Sequence, residues 1–206
     1  MQQSLTIIDD FLADPDTVRE AARKLAYPRL EQRTYFPGRN SAERLNITGL
    51  DEQISAILGE NLKPTPGTGH AKCRLALEGD EGMGDVHIDE SHWSGILYLT
   101  PPEHCQGGSD FFRHIPTGTE RAPVTYEEMH AMGFQTVEQL WTELITPHSK
   151  DRSKWEHVMR VPMRYNRLVL LRPWLWHSAG PSFGDSFDTG RLVYLLFYNS
   201  EGRWRK

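Results

Sequence analysis

The spacing of hydrophobic residues changes near Pro66. Before this residue, two stretches follow a helical period: one begins at Asp14 and Pro15, which suit a helix cap and a first helical position, and the other runs from Asp51 to Leu58. After it, short β-rich segments alternate with Gly, Pro and Asp turns. Many short strands at this spacing favour an antiparallel sandwich or barrel, so the chain is predicted to be mainly β, within the α+β class.

A helical pattern interrupts the β-rich part from Ile115 to about Lys154. Thr125 with Glu128, and Thr136 with Gln139, have the spacing of capping boxes, and an apolar helical pattern follows each pair. We interpret this segment as a helical insertion laid over the β core, in a place where lids are often found.

Length and composition limit the class of protein. With 206 residues, 38% of them hydrophobic, the chain can bury the core of one domain. We predict a single domain over residues 1–206, in which residues 1–66 form an N-terminal helical support and residues 67–198 form the β core.

The charge and the cysteine content limit which partners the protein binds and in which cellular compartment it is expected. The net charge of −5 offers no basic surface for nucleic acid, and the longest strongly apolar run, Leu192 to Tyr198, is too short to cross a membrane. The N-terminus lacks the features of a signal peptide, and Cys73 and Cys105 are too few for a disulfide scaffold. These observations predict a cytoplasmic protein whose partner is neither nucleic acid nor a membrane.

Three residues have the chemistry of a metal site. His87 and Asp89 are separated by one residue, so on a strand their side chains point to the same side. His177 lies far along the chain, in the short apolar segment WLWHSAG. Two histidines and one carboxylate with open coordination positions form the ligand set of non-haem Fe(II) oxygenases, whereas a structural zinc site normally includes cysteine.

A charged residue occupies an apolar strand near the end of the chain. Arg191 begins the run RLVYLLFY and shares one strand face with Val193, Leu195 and Phe197. A buried, unpaired guanidinium is costly, so it either reaches solvent at the strand end or pairs with a carboxylate, and a ligand carboxylate suits its fork geometry. Tyr98, in ILYLT, is a candidate second donor to that carboxylate; alternatively its hydroxyl reaches water.

Taken in order, these motifs resemble the Fe(II)/2-oxoglutarate-dependent oxygenase superfamily, and most of all its prolyl-hydroxylase-like branch. The ordered set consists of His87-Ile88-Asp89, the Tyr98 segment, the turn Gln106-Gly107-Gly108, His177 and Gly190-Arg191-Leu192. The resemblance covers residues 70–198, and its specificity lies in the order of the motifs rather than in any one of them.

The resemblance implies a double-stranded β-helix (jelly-roll) core with N-terminal helices and a helical insertion. It implies that Fe(II) is held by three side chains, those of His87, Asp89 and His177. Arg191 with Tyr98 would bind the distal carboxylate of 2-oxoglutarate, and O2 would be the other co-substrate. The family often has a serine two residues after its basic residue, where this chain has Val193, so Tyr98 becomes the expected partner of Arg191.

The implied activity is hydroxylation of an unactivated C–H bond in a small, amino-acid- or peptide-derived molecule, with succinate and CO2 as co-products. Three alternatives stay open. One is hydroxylation of a protein or peptide side chain of the prolyl-hydroxylase type. The others are a cupin-like metal protein that does not use 2-oxoglutarate, which has no need for Arg191, and a ligand-binding jelly roll without chemistry.

Candidate substrate-binding residues lie near the metal motif and in an earlier loop. Trp93 follows Asp89 closely and is a candidate pocket residue. The loop from Tyr35 to Ser41 combines aromatic, turn and polar residues, with Arg39 as the candidate contact. This loop either lines the mouth of the site or simply connects the N-terminal helices to the β core.

Overall fold

Antiparallel strands dominate the fold. The computed structural model describes residues 3–29 and 34–200, and these contain ten strands and five short helices. The strands are β1 (Leu5–Ile8), β2 (Arg39–Asn40), β3 (Leu62–Pro64), β4 (Cys73–Ala76), β5 (Trp93–Tyr98), β6 (Gly108–His114), β7 (Trp155–Pro162), β8 (Leu168–Leu171), β9 (His177–Ser178) and β10 (Arg191–Ser200). The helices are α1 (Pro15–Arg23), α2 (Leu50–Leu58), α3 (Tyr126–Ala131), α4 (Val137–Leu140) and α5 (Thr146–His148).

The two N-terminal helices begin and end where local sequence signals place them. The Asp14 side chain accepts a hydrogen bond from the backbone N–H three residues later, and Pro15 occupies the first position of α1. Gly59 ends α2 with a φ of 66°, a left-handed conformation that glycine adopts without a Cβ penalty. Ala22 of α1 and Ile54 of α2 are fully buried against the large sheet.

The helical insertion forms as predicted. Thr125 and Thr136 each cap a helix by accepting a hydrogen bond from the backbone N–H three residues later. α4 continues through a π-helical turn at Trp141–Ile145 into α5. Buried residues of this segment pack against Trp155 and Trp176 of the β part, which fixes the insertion over the small sheet.

The strands form two sheets in which every pair is antiparallel. Seven strands make a large sheet in the order β1-β8-β5-β10-β4-β2, with β3 paired to the far end of β10. The small sheet has the order β7-β6-β9. β10 is long enough, at ten residues, to pair with β5 along one edge and with β4 and β3 along the other.

Alternation along β10 gives the large sheet two buried faces. Leu192, Tyr194 and Leu196 share an apolar cluster with α1 and α2. Val193 and Leu195 point the other way and share a cluster with side chains of β6 and β7, so this cluster lies between the two sheets. Burial on both faces explains why the sequence of β10 is apolar almost throughout. Each fully buried leucine contributes about 2 kcal/mol to the free energy of folding.

The hydrophobic pattern does not predict β2 and β3. They have two and three residues and carry mainly polar or exposed side chains, so they show no alternation. The longest helices have nine residues, and among the described residues no helix has the length and apolar character to span a bilayer.

Candidate functional site

Two histidines and an aspartate converge at one end of the space between the sheets. One ligand atom from each of His87, Asp89 and His177 lies within 4.8 Å of the others. His87 Nε2 is 3.7 Å from Asp89 Oδ1, and His177 Nε2 is 3.5 Å from Asp89 Oδ2. The structure therefore brings together the three residues that the sequence predicts as metal ligands.

A single antiparallel bridge places the two histidines side by side. His87 N–H donates to His177 O at 2.9 Å, and His177 N–H donates to His87 O at 3.2 Å. The sequence predicts a strand here, but the ladder does not continue, because the Leu175 N–H bonds Arg172 O in a tight turn and Asp89 N–H bonds the Pro173 carbonyl. Directly paired residues point to the same side, so one bridge is enough to aim both rings at one point.

Backbone carbonyls fix which ring nitrogen faces the site. His87 Nδ1 lies 2.7 Å from Asp85 O, and His177 Nδ1 lies 2.7 Å from Leu175 O. A carbonyl only accepts, so each Nδ1 carries a hydrogen, and Nε2 is the ring nitrogen that faces Asp89. Metal-binding histidines commonly have this arrangement.

The protonation states also suit a cation. Burial, together with the charge of His177, lowers the pKa of His87 to about 4, so its imidazole is neutral at neutral pH. Burial by itself raises the pKa of Asp89, but the neighbouring imidazoles and the Ser94 hydroxyl outweigh it and hold the pKa below its usual range. Ser94 Oγ donates to Asp89 Oδ2 at 2.6 Å. Two imidazoles and one carboxylate are a donor set that fits a divalent transition metal.

A cavity of about 390 Å³ opens beside these ligand atoms, a size typical of small-molecule sites. The loop before β2 covers it: the Phe36 ring lies 4.5 Å from the His87 ring, and the Tyr35 ring lies 6.3 Å from it. Gly84 allows this approach, since a Cβ there would lie 2.3 Å from the Tyr35 ring. Trp141, from the insertion, lines the same cavity.

Arg191 lies on the cavity wall with its charge unpaired. The residue is 4% exposed and its Nε is buried without a hydrogen-bond partner. Across residues 3–29 and 34–200 its side chain forms no hydrogen bond or ion pair. Burial lowers the pKa of Arg191, and the nearby Tyr98 raises it. Such a group has a strong free-energy preference for an anionic ligand.

Tyr98 lies beside Arg191 on the same face of the sheet but is fully buried and does not line the cavity. Its hydroxyl forms a 2.7 Å hydrogen bond with Ser109 Oγ. Whichever hydroxyl donates in this pair, the other keeps a hydrogen for a further acceptor. Ser109 is a neighbour that the sequence does not reveal, because it comes from the opposite sheet.

The structure does not bring the two predicted substrate contacts to the cavity. Trp93 is fully buried among the residues under α1 and α2, and its Nε1 donates to Glu60. Arg39 pairs in register with Leu75, whose side chain belongs to that same layer. In both cases the next residue along the strand lines the cavity instead, because alternate side chains point to opposite faces.

The cavity residues that the sequence analysis did not predict include Arg74, Ser94 and Trp141. Arg74 could have been found by the argument that identifies Arg191, since it is a charged residue inside an apolar β-rich segment. Ser94 follows from strand alternation once the register of β5 is known. Trp141 has no local signal, because only the packing of the insertion brings it to the cavity.

Two solved structures of HygX have TM-scores above 0.5 with this chain and show its fold. HygX from Streptomyces hygroscopicus, with nickel, 2-oxoglutarate and hygromycin B bound, is similar with a TM-score of 0.54 at 11% identity, over 99% of this chain and 86% of that chain. HygX with nickel and 2-oxoglutarate gives 0.53 at 12% identity, with the same coverage. A prolyl hydroxylase from Trichoplax adhaerens, in complex with a peptide fragment of hypoxia inducible factor, gives 0.47 at 14% identity, over 96% and 84% of the two chains.

The amino-acid sequence matches one family model. No curated protein matches the chain significantly. One family model matches residues 1–198 of the 206 in the sequence, and its description is a family of unknown function, DUF6445. The chain therefore shares its fold with HygX and belongs to the DUF6445 family.

Proposed function

We propose that the chain is an Fe(II)/2-oxoglutarate-dependent oxygenase with a jelly-roll core of the double-stranded β-helix type. The observation that carries the proposal is the pairing of two features in one cavity. His87, Asp89 and His177 present a facial ligand set, and Arg191 presents an unpaired buried cation to the same space. The similarity of fold to HygX supports it.

In this proposal the three ligand residues hold Fe(II) with neutral imidazoles and an ionised carboxylate. The ordering of both rings by backbone carbonyls keeps the site ready for the ion. Three protein ligands leave coordination positions for other molecules, unlike the closed four-ligand structural zinc sites that cysteines usually complete. Cys73 and Cys105 do not join the cluster of metal-ligating side chains.

Arg191 is the proposed anchor for the distal carboxylate of 2-oxoglutarate. Its guanidinium supplies two parallel donors to a carboxylate, and the pair formed by Tyr98 and Ser109 retains a hydroxyl hydrogen for the same anion. HygX has been solved with 2-oxoglutarate bound, which supports the assignment of this co-substrate. A cupin-like protein that does not use 2-oxoglutarate would leave Arg191 without a role.

When bound, Fe(II) and 2-oxoglutarate supply the activation of O2 that oxidises a C–H bond, with succinate and CO2 as co-products. The chain's own residues bind and orient these molecules and exclude water from the cavity. Phe36 and Tyr35 cover His87, while Val193 and Leu195 form an apolar part of the wall. An apolar wall that keeps water away strengthens the electrostatic contacts beside it.

We further propose that the substrate is a small molecule. The cavity volume suits one, and HygX has been solved with the small molecule hygromycin B. Trp141 brings the insertion into the cavity wall, so the insertion would take part in substrate selection. Side-chain hydroxylation of a protein or peptide remains the competing substrate class.

Anaerobic titration of Fe(II) and 2-oxoglutarate tests the proposal. We expect a weak visible charge-transfer band in the wild-type protein and in Arg164→Met, which alters an exposed ion pair. Arg191→Met should weaken 2-oxoglutarate binding by at least about tenfold, since it removes a charge-assisted bidentate contact. A folded, iron-loaded wild-type protein without the band would refute the use of 2-oxoglutarate and favour a cupin-like or binding protein.

A further inference from the structure

A second arginine, Arg74, faces the same cavity as Arg191. In the register of β4 and β10, Arg74 lies opposite Val193 and Ala76 lies opposite Arg191, so the two arginines are diagonal neighbours on one face of the sheet. Both line the cavity. Burial, followed by the charge of Arg191, lowers the pKa of Arg74 to about 10, and the side chain stays protonated at neutral pH.

Arg74 is held in place without an ion pair. Its Nε donates to Asn40 Oδ1 at 2.7 Å, and its guanidinium carbon lies 5.1 Å from the centre of the Phe36 ring. No carboxylate of the described residues lies within ion-pair distance of it. Asp89 is the one acidic group whose charge raises the pKa of Arg74, and in the proposed function this carboxylate binds the metal ion.

The proposed co-substrate leaves the charge of Arg74 unbalanced. A divalent ion bound by one carboxylate retains one positive charge, Arg191 adds another, and the two carboxylates of 2-oxoglutarate balance both. Arg74 then keeps one positive charge in a largely buried place, which is costly without an anion. Glu90 also lines the cavity, but its side chain is exposed and does not pair with Arg74.

We propose that the substrate carries a carboxylate and that Arg74 binds it. This inference rests on the proposed function, because it takes 2-oxoglutarate to occupy Arg191. One remaining positive charge matches a carboxylate better than a phosphate with its larger charge. The guanidinium fork suits bidentate capture, while Asn40 and Phe36 hold it toward the cavity. The substrate class is therefore an organic or amino acid rather than a neutral molecule.

One other carboxylate has the same chemistry, namely the metal-proximal carboxylate of 2-oxoglutarate itself. The two sources predict different results for 2-oxoglutarate affinity. If the substrate supplies the group, Arg74→Gln keeps the 2-oxoglutarate affinity of the wild type within about threefold, while Arg191→Met loses about tenfold or more. An equal loss in both variants would overturn the proposal and assign Arg74 to 2-oxoglutarate.

A second arm measures the anion site directly, without turnover. Acetate is titrated into the anaerobic Fe(II)- and 2-oxoglutarate-loaded protein, with acetamide as the neutral probe of similar shape, and the visible band and thermal midpoint are followed. We expect a saturable response to acetate alone. Arg74→Gln should abolish the response, Arg74→Lys should keep part of it, and Asn40→Ala should weaken it.

Three results of this arm contradict the proposal. The first is an acetate response in Arg74→Gln equal to that of the wild type, which means an adventitious ion only. The second is an equal response of the wild type to acetate and to acetamide. The third is no response of the wild type to acetate. Absence of the visible band before any acetate is added is a different failure, because it refutes the proposed function itself. Circular dichroism of each variant shows that the fold is kept, and Arg74→Lys serves as the conservative comparison.

Discussion

At the scale of single residues, the geometry of the candidate metal site depends on groups outside the three candidate ligands. The Asp85 and Leu175 carbonyls orient the two imidazoles, and the Ser94 hydroxyl orients the carboxylate of Asp89. Groups of this kind fix the ligand rotamers before the ion arrives, and their loss typically weakens metal binding by about 10- to 100-fold.

Ser94→Ala is expected to weaken Fe(II) binding by about tenfold, because Asp89 Oδ2 loses its 2.6 Å hydrogen bond. Ser91→Ala is the matched control, since Ser91 Oγ contacts Ser94 Oγ rather than the carboxylate. Anaerobic metal titration of both variants measures the difference. Equal affinities for Ser94→Ala and wild type would show that the hydroxyl has no part in positioning Asp89.

The ordered motifs were sufficient to predict that three candidate ligands converge and that Arg191 shares their cavity, but not which residues line the rest of it. A strand residue's side is set by register, and a shift of one residue moves a side chain to the other face. Trp93 and Arg39 are each one residue away from a cavity-lining residue. The side on which these two side chains lie follows from the register of β5 and of β2 with their neighbouring strands. That register cannot be deduced from the sequence alone.

At the scale of elements, the insertion connects helix capping to the cavity. Thr136 caps α4, and the same helix runs on into the π-helical turn that carries Trp141. The adjoining residues Leu140 and Leu144 are buried against the small sheet. The position of Trp141 therefore depends on the start of a four-residue helix.

Thr136→Ala should lower the local stability of the insertion by about 1 kcal/mol, because the Gln139 N–H loses its capping acceptor. Thr142→Ala is the control, since the Thr142 hydroxyl bonds only carbonyls of its own helix. Hydrogen exchange of the amides from 137 to 148 reports the change. Unchanged exchange in Thr136→Ala would mean that packing alone holds the segment.

A second element contact predicts a dependence on pH. His114, at the end of β6, lies 2.9 Å from His148 of α5, and burial together with the positive charges of His148 and Lys154 lowers the pKa of His114 to about 4 from 6.5. The unfolded chain therefore binds a proton that the folded chain does not, and stability falls as the pH drops from 6.5 toward 4.

His114→Gln should make that fall shallower, whereas His130→Gln, on an exposed helical position, should leave it unchanged. Urea unfolding of the metal-free variants across this pH range gives the slopes. The same slope in His114→Gln as in the wild type would contradict the assignment.

Element prediction succeeded where local chemistry decides the outcome. Asp14, Thr125 and Thr136 cap helices because their side chains reach backbone N–H groups nearby, and the apolar runs form β5, β8 and β10. It was wrong at the H-x-D segment, which makes one bridge instead of a strand. The turn at Arg172–Leu175, far along the chain, limits the pairing of this segment with the His177 segment to one bridge.

At the scale of the whole molecule, one polar network joins the N-terminal part to the β core. Arg172, 2% exposed, stacks over the Trp93 ring at 3.9 Å and donates to Glu60 at 2.6 Å, just beyond α2. Glu60 also accepts from Trp93 Nε1. The buried Arg172 guanidinium is stable in this position because the Glu60 carboxylate and the rings of Trp93 and Trp174 surround it.

Glu60→Gln should lower the free energy of unfolding by about 2 kcal/mol, since it removes the negative charge 2.6 Å from the buried Arg172 Nη2. Glu156→Gln removes an exposed ion pair with Arg113 and should cost less than about 1 kcal/mol. Chemical denaturation of both variants measures the two effects. Equal, small losses would show that the network contributes little to stability.

The overall architecture was partly accessible from the sequence. A mainly β chain with N-terminal helices and a helical insertion is confirmed, because periodicity and capping are local signals. The order of strands in the sheets is not readable in this way, since it depends on pairings between residues far apart, such as β4 with β10. The one-domain organisation stays a prediction.

The most direct test of the central claim is a crystal structure of the protein soaked with Mn(II), as a redox-stable substitute for Fe(II), and 2-oxoglutarate. We predict one metal ion bound by His87 Nε2, Asp89 and His177 Nε2, with the distal carboxylate of 2-oxoglutarate on Arg191. A metal ion at other residues, or 2-oxoglutarate bound away from Arg191, would contradict it.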